Sequence, residues 1–576
     1  MFSLASAVET ALVCRGAALV AGGGSCVPDP PPACAATEPQ EIVDLIFGGA
    51  PTAIASIGTP AGRCQVALAQ AAGRYARERA AGLVRGRRRT TRARLVKRVV
   101  RDCTGVAVDA LPTGRLPGVG EPCASAAIVT AVDAARLASC VSARLEAVIG
   151  DAWATPIPPN IVVVLTDDQP PSTLEFMPAT LAEIAGRGVR FENAFVSSAA
   201  CTPSRATILS GRYAHNHGIT DNAGLLLGGH QFDHENTVAA WLRQASYRTG
   251  MFGHYMLFAS VLGESKPVAW DAWWTLMRHD EQSFTMSING PWRDFGSGQY
   301  LTDFIARNAS RFIAKNREKP FFVVVAPTAP HEPAIPAARH QNLFLDLPPW
   351  RPPNFREPDT TGKPQWVQYS RAIAATSTDA VDELRIRMAQ SLQAVDEAVL
   401  GISDLLDDLG LSDRTLVLYL SDNGVHLQEH WWGSKFDSYE EGIRVPLLLR
   451  YPVRYPTARV DTSLASNVDI AATIVDASGA AAPALDGTSL LETLDGAVSP
   501  RADLLVENFT SYIIVPNRAV RTERWKYIRT DAPVGVTEEL YDLEADPFEL
   551  VNKAADPALQ TVKQTLADRL AVLQQE

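Results

Sequence analysis

Apolar residues form short unbroken runs at three places in the later part of the chain. They are Ile161-Val162-Val163-Val164-Leu165, Phe321-Phe322-Val323-Val324-Val325-Ala326 and Leu416-Val417-Leu418-Tyr419-Leu420. Each is mostly β-branched or aliphatic and shorter than a typical helix, so each predicts a strand covered on both faces, as in a parallel sheet. Polar residues follow directly. Thr166-Asp167-Asp168-Gln169 ends the first run, Thr328-Ala329-Pro330-His331 lies just past the second, and Ser421-Asp422-Asn423-Gly424 ends the third. In open α/β sheets, sites form at the carboxyl ends of strands, so Asp167, Asp168, His331, Asp422 and Asn423 each stand where chemistry is expected. Upstream, Ala-rich helical spacing runs over roughly 61–102 and 123–149, divided by Leu111-Pro112-Thr113-Gly114. The linker Pro156-Ile157-Pro158-Pro159 closes that part. A helical module over 1–155 is expected, followed by an α/β domain over 156–500.

Composition narrows the class. The chain has 576 residues, 46% hydrophobic and 20% charged, which fits a globular protein of two to four domains. No apolar run approaches the ~20 residues that a membrane span requires, so no transmembrane span is expected. A net charge of -11 gives no reason to expect a nucleic-acid partner. The stretch from Arg74 to Arg101, with Arg87-Arg88-Arg89, is densely basic. It reads either as a solvated helix face or as an anion-binding surface for sulfated polymer or membrane. Tyr75 is its only aromatic residue, which disfavours stacking on single-stranded nucleic acid.

Cysteines add a compartment. Seven of the eight (Cys14, Cys26, Cys34, Cys64, Cys103, Cys123 and Cys140) lie in the first 140 residues, as in a disulfide framework made in an oxidising compartment. If the apolar stretch around Ala11 to Gly24 is a removed signal peptide, Cys14 goes with it and six remain to pair. A secreted or periplasmic location follows as the expectation.

The eighth cysteine stands alone in Cys201-Thr202-Pro203-Ser204-Arg205, followed by Leu209-Ser210-Gly211-Arg212. A lone cysteine is ordinarily a small buried hydrophobe. This pattern, however, resembles the signature of the type I sulfatases, formylglycine-dependent enzymes of the alkaline phosphatase superfamily. The resemblance implies that Cys201 is oxidised by a formylglycine-generating enzyme to an aldehyde, hydrated to a geminal diol, and that Arg205 fixes the diol and the charge on its metal side. It covers about residues 158–552. Tyr213-Ala214-His215-Asn216-His217, Pro330-His331-Glu332-Pro333 and Arg351-Pro352-Pro353-Asn354-Phe355 look most like the N-acetylglucosamine-6-sulfatase branch. Glu539-Leu540-Tyr541-Asp542-Leu543 resembles the small C-terminal subdomain of the family, placed here at 501–576. The implied fold class is α/β: a mixed, largely parallel sheet sandwiched by helices, a small antiparallel C-terminal subdomain, and the N-terminal helical Cys-rich module in front.

The family's metal ligands match Asp167, Asp168, Asp422 and Asn423, with the residue at Cys201 completing the site. Three carboxylates and an amide oxygen suit a hard cation, Ca2+ or else Mg2+. Its histidine that contacts the sulfate and the leaving oxygen matches His331, and its sulfate-binding lysine matches Lys435. One departure stands out. Where the branch has Gly-Lys-Tyr-Leu-Asn, this chain reads Gly253-His254-Tyr255-Met256-Leu257, so a histidine replaces the lysine that bridges diol and sulfate. The implied activity is hydrolysis of sulfate esters on a sulfated carbohydrate or aryl sulfate, with His254 as base for release of sulfate. Two alternatives remain open: a phosphonate or phosphodiester hydrolase of the same superfamily, and a non-catalytic polyanion-binding homologue.

Overall fold

A computed structural model describes residues 158–222, 228–257, 266–277, 281–296, 298–373, 376–509, 515–533 and 535–576. The helical spacing, basic stretch and clustered cysteines expected before residue 155 lie outside the described residues. The apolar runs are strands: β1 (Asn160–Thr166) corresponds to the first. With β2 (Val189–Phe195), β3 (Arg248–Gly253), β4 (Ala272–Leu276), β5 (Phe284–Ile288), β6 (Trp292–Phe295), β7 (Phe321–Ala326), β8 (Thr415–Ser421), β9 (Leu447–Arg450) and β10 (Arg459–Ser466) it builds one sheet. The order is β10-β2-β9-β8-β1-β7-β3-β4-β5-β6. Its centre, β8-β1-β7-β3-β4, is parallel, while β9, β5 and β6 run antiparallel to their neighbours.

Alternation within the apolar runs feeds two cores. Ile161, Val163 and Leu165 face the side covered by α1 (Cys201–Ser210), α2 (Val238–Gln244) and a later helix, Asp469–Ser478, meeting Ile208, Trp241 and Ile474. Val162 and Val164 face the other side, where α3 (Leu301–Asn316) and α4 (Thr378–Asp408) bring Ile305, Leu392 and Val395. Both faces are thus dry, which explains why these strands have no polar alternation. No helix among the described residues is long and apolar enough to cross a membrane.

A second sheet, β11 (Asp503–Asn508), β12 (Asn517–Thr522), β13 (Trp525–Ala532) and β14 (Gly535–Asp542), is antiparallel throughout. Leu566 and Leu570 of the helix Gln560–Leu573 cover one face; the other packs Val506, Ile528 and Tyr541 on Phe195, Trp432 and Tyr439. Charge is buried at this junction. Lys526 Nζ lies 2.9 Å from Glu440 Oε1 and 2.7 Å from Glu549 Oε1. His430 Nδ1 is 2.7 Å from Glu357 Oε2, and Lys363 Nζ donates to the Glu549 carbonyl at 2.6 Å. Such groups rest inside only when paired.

The pairing is incomplete, and that sets a pH dependence. Burial pushes the Glu357 carboxyl up to about 7, against the opposing pull of Lys363, and pushes Glu549 up to about 8 against Lys526. Unfolded, both ionise near the ordinary 4.5. The folded chain therefore holds extra protons across this window, and its stability falls as pH rises through it. A thermal-unfolding midpoint that declines from about pH 5 to about pH 8.5 is expected, with a shallower decline in Glu357→Gln; a midpoint that climbs over this range would contradict the assignment.

Candidate active site

Strand register builds the site. Thr166 of β1 pairs with Ser421 of β8, so Asp167 and Asp422, the next residue on each strand, emerge side by side. The Asp422 N–H donates to the Thr166 carbonyl at 3.1 Å, and Asp168 N–H donates to Asp422 Oδ1 at 3.2 Å. Asp168 turns away with φ 57°, a left-handed conformation that aspartate tolerates better than most residues. Helix α1 begins at Cys201, so the positive end of its dipole faces these carboxylates. It ends at Gly211 with φ 65°, the helix-stop role of the glycine in Leu209-Ser210-Gly211-Arg212.

All nine residues singled out in the sequence meet here. Ligand atoms of Asp167, Asp168, Cys201 and Asp422 lie within 4.8 Å of one another, all buried. Arg205 Nε donates to Asp422 Oδ2 at 2.8 Å while its Nη2 is 3.4 Å from Asp167 Oδ2. Lys435 Nζ bonds to Asp168 Oδ1 and lies 2.8 Å from Cys201 Sγ. His331 Nε2 is 3.4 Å from Asp168 Oδ2. Asn423 is fully buried; its Nδ2 donates to Asp168 Oδ1 at 2.6 Å, and its Oδ1 has no hydrogen-bond partner among the described residues. Turning that amide over aims the oxygen at the carboxylates, an assignment decided only by what lies between them. The convergent oxygens and the unsatisfied amide oxygen fit a hard divalent cation.

His254, which the sequence set in place of a bridging lysine, is bonded to a carboxylate of the cluster. Its Nδ1 lies 2.6 Å from Asp167 Oδ2 and its carbonyl accepts from Arg205 Nη1. His254 also lines a small apolar cavity with Val163, Leu165 and Met251. The open cavity, about 410 Å³, is lined by Asp168, Cys201, His331 and Lys435 instead.

Electrostatics follow from burial and neighbours. Burial works to raise the Asp167 carboxyl, but His254, Arg205 and His331 outweigh it and hold it well below the usual range. Asp422, pushed up by burial and by Asp167 and Asp168 despite Arg205, reaches about 6. Burial is also the main cause that drives the Cys201 thiol well above its ordinary value; the three aspartates add to it and Lys435 only partly offsets them. Lys435 is penalised by burial, yet Asp168, with Asp167 and Asp422, holds it firmly charged. Burial opposes charge on His331 too, and Asp168 and Asp167 overcome it, raising its pKa. A thiol held neutral is a poor nucleophile as it stands.

Several cavity residues were not legible in the sequence. Asn222 accepts from the Thr202 N–H at 2.8 Å; Leu384 and Met388 come from α4, far along the chain; His426 stands three residues past Asn423. Nothing local marks them, apart from the position of His426 just after a ligand-bearing strand end.

Residues 159–480 match the sulfatase family. The chain belongs to the sulfatase family. Residues 428–576 of this sulfatase match the C-terminal part of N-sulphoglucosamine sulphohydrolase. Human N-acetylglucosamine-6-sulfatase is 34% identical over 375 residues, 61% of this chain and 67% of that protein. An N-acetylglucosamine-6-O-sulfatase of Bacteroides thetaiotaomicron is 29% identical over 472 residues, 68% of this chain and 82% of that one. Matches to the extracellular sulfatase SULF-1 homologue of Drosophila melanogaster and its Caenorhabditis elegans counterpart, both 31% identical, span 31% and 48% of those longer proteins. Among solved structures, one in complex with its substrate D-glucosamine-2-N,6-O-disulfate superposes with a TM-score of 0.65 at 24% identity, covering 73% of this chain and 98% of that one. The phosphonate monoester hydrolase of Agrobacterium radiobacter gives 0.59 at 22% identity, covering 72% and 95%. Both likenesses speak for the fold.

Two substitutions separate the scaffold of this sulfatase from its chemistry. A Cβ on Gly424 would lie 2.1 Å from the Glu441 carbonyl oxygen, so Gly424→Ala is expected to lose about 2 kcal/mol or more of stability in chemical denaturation. Cys201→Ala removes a thiol whose neighbours are polar and is expected to cost no more than about 1 kcal/mol by the same measurement.

Proposed function

We propose that this chain hydrolyses sulfate esters of a sulfated sugar, using Cys201 converted to formylglycine and a bound Ca2+, with Mg2+ as the alternative ion. The observation that carries this reading is the burial of Cys201 among three carboxylates, Arg205 and Lys435, where a thiol is useless as a thiolate but an oxidised side chain meets an ordered ring of charge. The sugar substrate rests on the N-acetylglucosamine-6-sulfatase relatives.

Asp167, Asp168, Asp422 and Asn423, with the side chain at position 201, would hold the cation, which supplies polarisation of a sulfate oxygen. Formylglycine supplies, as its hydrate, the hydroxyl that attacks sulfur. The chain's own groups do the rest. Arg205 holds Asp167 and Asp422 in place and charged. Lys435 and His331 face the open cavity, where they neutralise the sulfate and deliver a proton to the departing alcohol. His254, bonded to Asp167, orients that carboxylate, and it is the base proposed for the step that releases sulfate. A secreted or periplasmic location goes with this reading, supported by the extracellular relatives and the cysteine cluster before residue 141.

Exhaustive chelation is expected to abolish aryl sulfate hydrolysis and added calcium to restore it; hydrolysis indifferent to chelation would sink the metal assignment. Cys201→Ala is expected to lose at least about 10³-fold in kcat, and peptide mass spectrometry across position 201 of the active protein should find the aldehyde. Paired assays decide between esters: faster turnover of a phosphodiester or phosphonate than of any sulfate ester would replace the sulfatase reading.

A further inference from the structure

Beside the loop that carries Lys435, three guanidinium groups alternate with two aromatic rings. The Arg351 guanidinium lies 4.4 Å from the centroid of the Phe355 ring, and that of Arg356 lies 5.6 Å from the same ring. Arg356 is also 5.7 Å from the Trp431 centroid, and so is Arg371 of the helix Gln365–Ile373. Backbone pairing sets this row along the flank of the loop: the Arg356 N–H donates to the Gln428 carbonyl at 3.0 Å, and the His430 N–H to the Asn354 carbonyl at 2.9 Å. The open cavity is one side chain away. Arg356 Nε donates to Gln428 Oε1 at 3.2 Å, and a Cβ on Gly433, which lines the cavity, would lie 2.7 Å from Gln428 Nε2.

Charge along the row is unequally compensated. Asp382 takes Arg351 through both oxygens, at 2.8 and 2.7 Å. Arg356 and Arg371 make no ion pair among the described residues; their guanidiniums donate to the Thr376 and Pro358 carbonyls. The acids around them are engaged elsewhere: Glu357 with His430, Glu429 with Trp350 Nε1 and the Leu427 N–H, and exposed Asp359 with the Thr361 N–H. A guanidinium has five N–H donors, so most of those on Arg356 and Arg371 are unused. Arg371 is exposed and Arg356 half-buried, which leaves the pair open to a ligand from solvent. Stacking on Trp431 and the carbonyl bonds already hold both side chains, so little freedom remains to be lost when an anion arrives.

We propose that Arg356 and Arg371, set against Trp431, form a second anion subsite outside the cavity, which takes a sulfate group on a further sugar of the substrate. The inference rests on the proposed sulfatase activity and deepens it: the substrate is an oligosaccharide with more than one sulfate, one ester seated at Lys435 and His331 and another sulfate held by the arginine pair. Paired N–H groups of a guanidinium match two oxygens of such an anion. The contact is the same before and during cleavage of the distant ester, so it strengthens binding and shows in KM, while kcat is left to the cavity.

Two substrates that present the same ester separate this subsite from the cavity: 6-O-sulfated N-acetylglucosamine, and a tetrasaccharide that carries it at one end and sulfates on the sugars that follow. Wild type is expected to take the tetrasaccharide with the lower KM. Replacing both arginines, Arg356→Gln with Arg371→Gln, is expected to raise the tetrasaccharide KM by about ten-fold more than the monosaccharide KM, worth about 1.4 kcal/mol. Arg371→Gln alone, which leaves the Arg356 bond to Gln428 in place, is expected to give about a three-fold difference, worth about 0.7 kcal/mol. A wild type without preference for the tetrasaccharide overturns the proposal. So does an equal change on both substrates in the variants, which would make the row of arginines and rings only a brace for the loop. Wild-type protein that turns over neither substrate would instead strike the sulfatase reading; calorimetric binding of the tetrasaccharide to wild type and Arg371→Gln would then test the subsite by itself, with equal affinity overturning it.

Discussion

Three carboxylates buried within a few ångströms of one another repel, and much of this site is organised around that repulsion. Asp167, Asp168 and Asp422 are forced together because β1 and β8 are paired in register and end at the same level. In a dry setting such charges are tolerated only where cations meet them. Arg205 spans Asp167 and Asp422, Lys435 reaches Asp168, and His254 and His331 close the ring from either side. Asn423 completes a set of oxygens suited to a hard ion. Burial, helped by this accumulation of negative charge, pushes the Cys201 thiol up, so the environment that ruins a thiolate is the one that a cation and an oxidised side chain would exploit.

The second constraint is mechanical. Lys435 must cross from a loop to the floor of the site, and that loop contains Gln428, His430, Trp431 and Phe436, all at positive φ. Non-glycine residues adopt such conformations only when the surroundings over-determine them. Here they do: His426 is tied to Asp437, His430 to Glu357, Trp431 Nε1 to the Glu357 carbonyl, and Trp432 Nε1 to the Lys435 carbonyl. The four-stranded sheet then closes over the loop, with Lys526 and the Tyr439–Glu539–Tyr541 contacts at its base. The C-terminal sheet is therefore part of what holds a charged side chain at the site, although it contributes no residue to the carboxylate cluster.

His254 illustrates how one substitution is absorbed. The resemblance set a lysine at this position; here the imidazole Nδ1 lies 2.6 Å from Asp167 Oδ2. Lys435 and His331, both lining the open cavity, bring positive charge to it.

The sequence by itself determined the elements and their chemical endings. Short unbroken apolar runs predict strands dry on both faces, and β1, β7 and β8 are such strands, each followed closely by the polar residues expected to act. Asp167, Asp168, Asp422, Asn423 and His331 stood out at or just past strand ends, Cys201 and Arg205 in a tight local motif, and Lys435 only through the family resemblance. Tertiary structure alone decided what lies between those endings. Which way His254 faces depends on Asp167, eighty-seven residues away along the chain. His426 is tied to Asp437, and Leu384 and Met388 of α4 wall the cavity. Burial, charge compensation and an unfilled hydrogen-bonding site are properties of neighbours in space, and local periodicity holds no record of them.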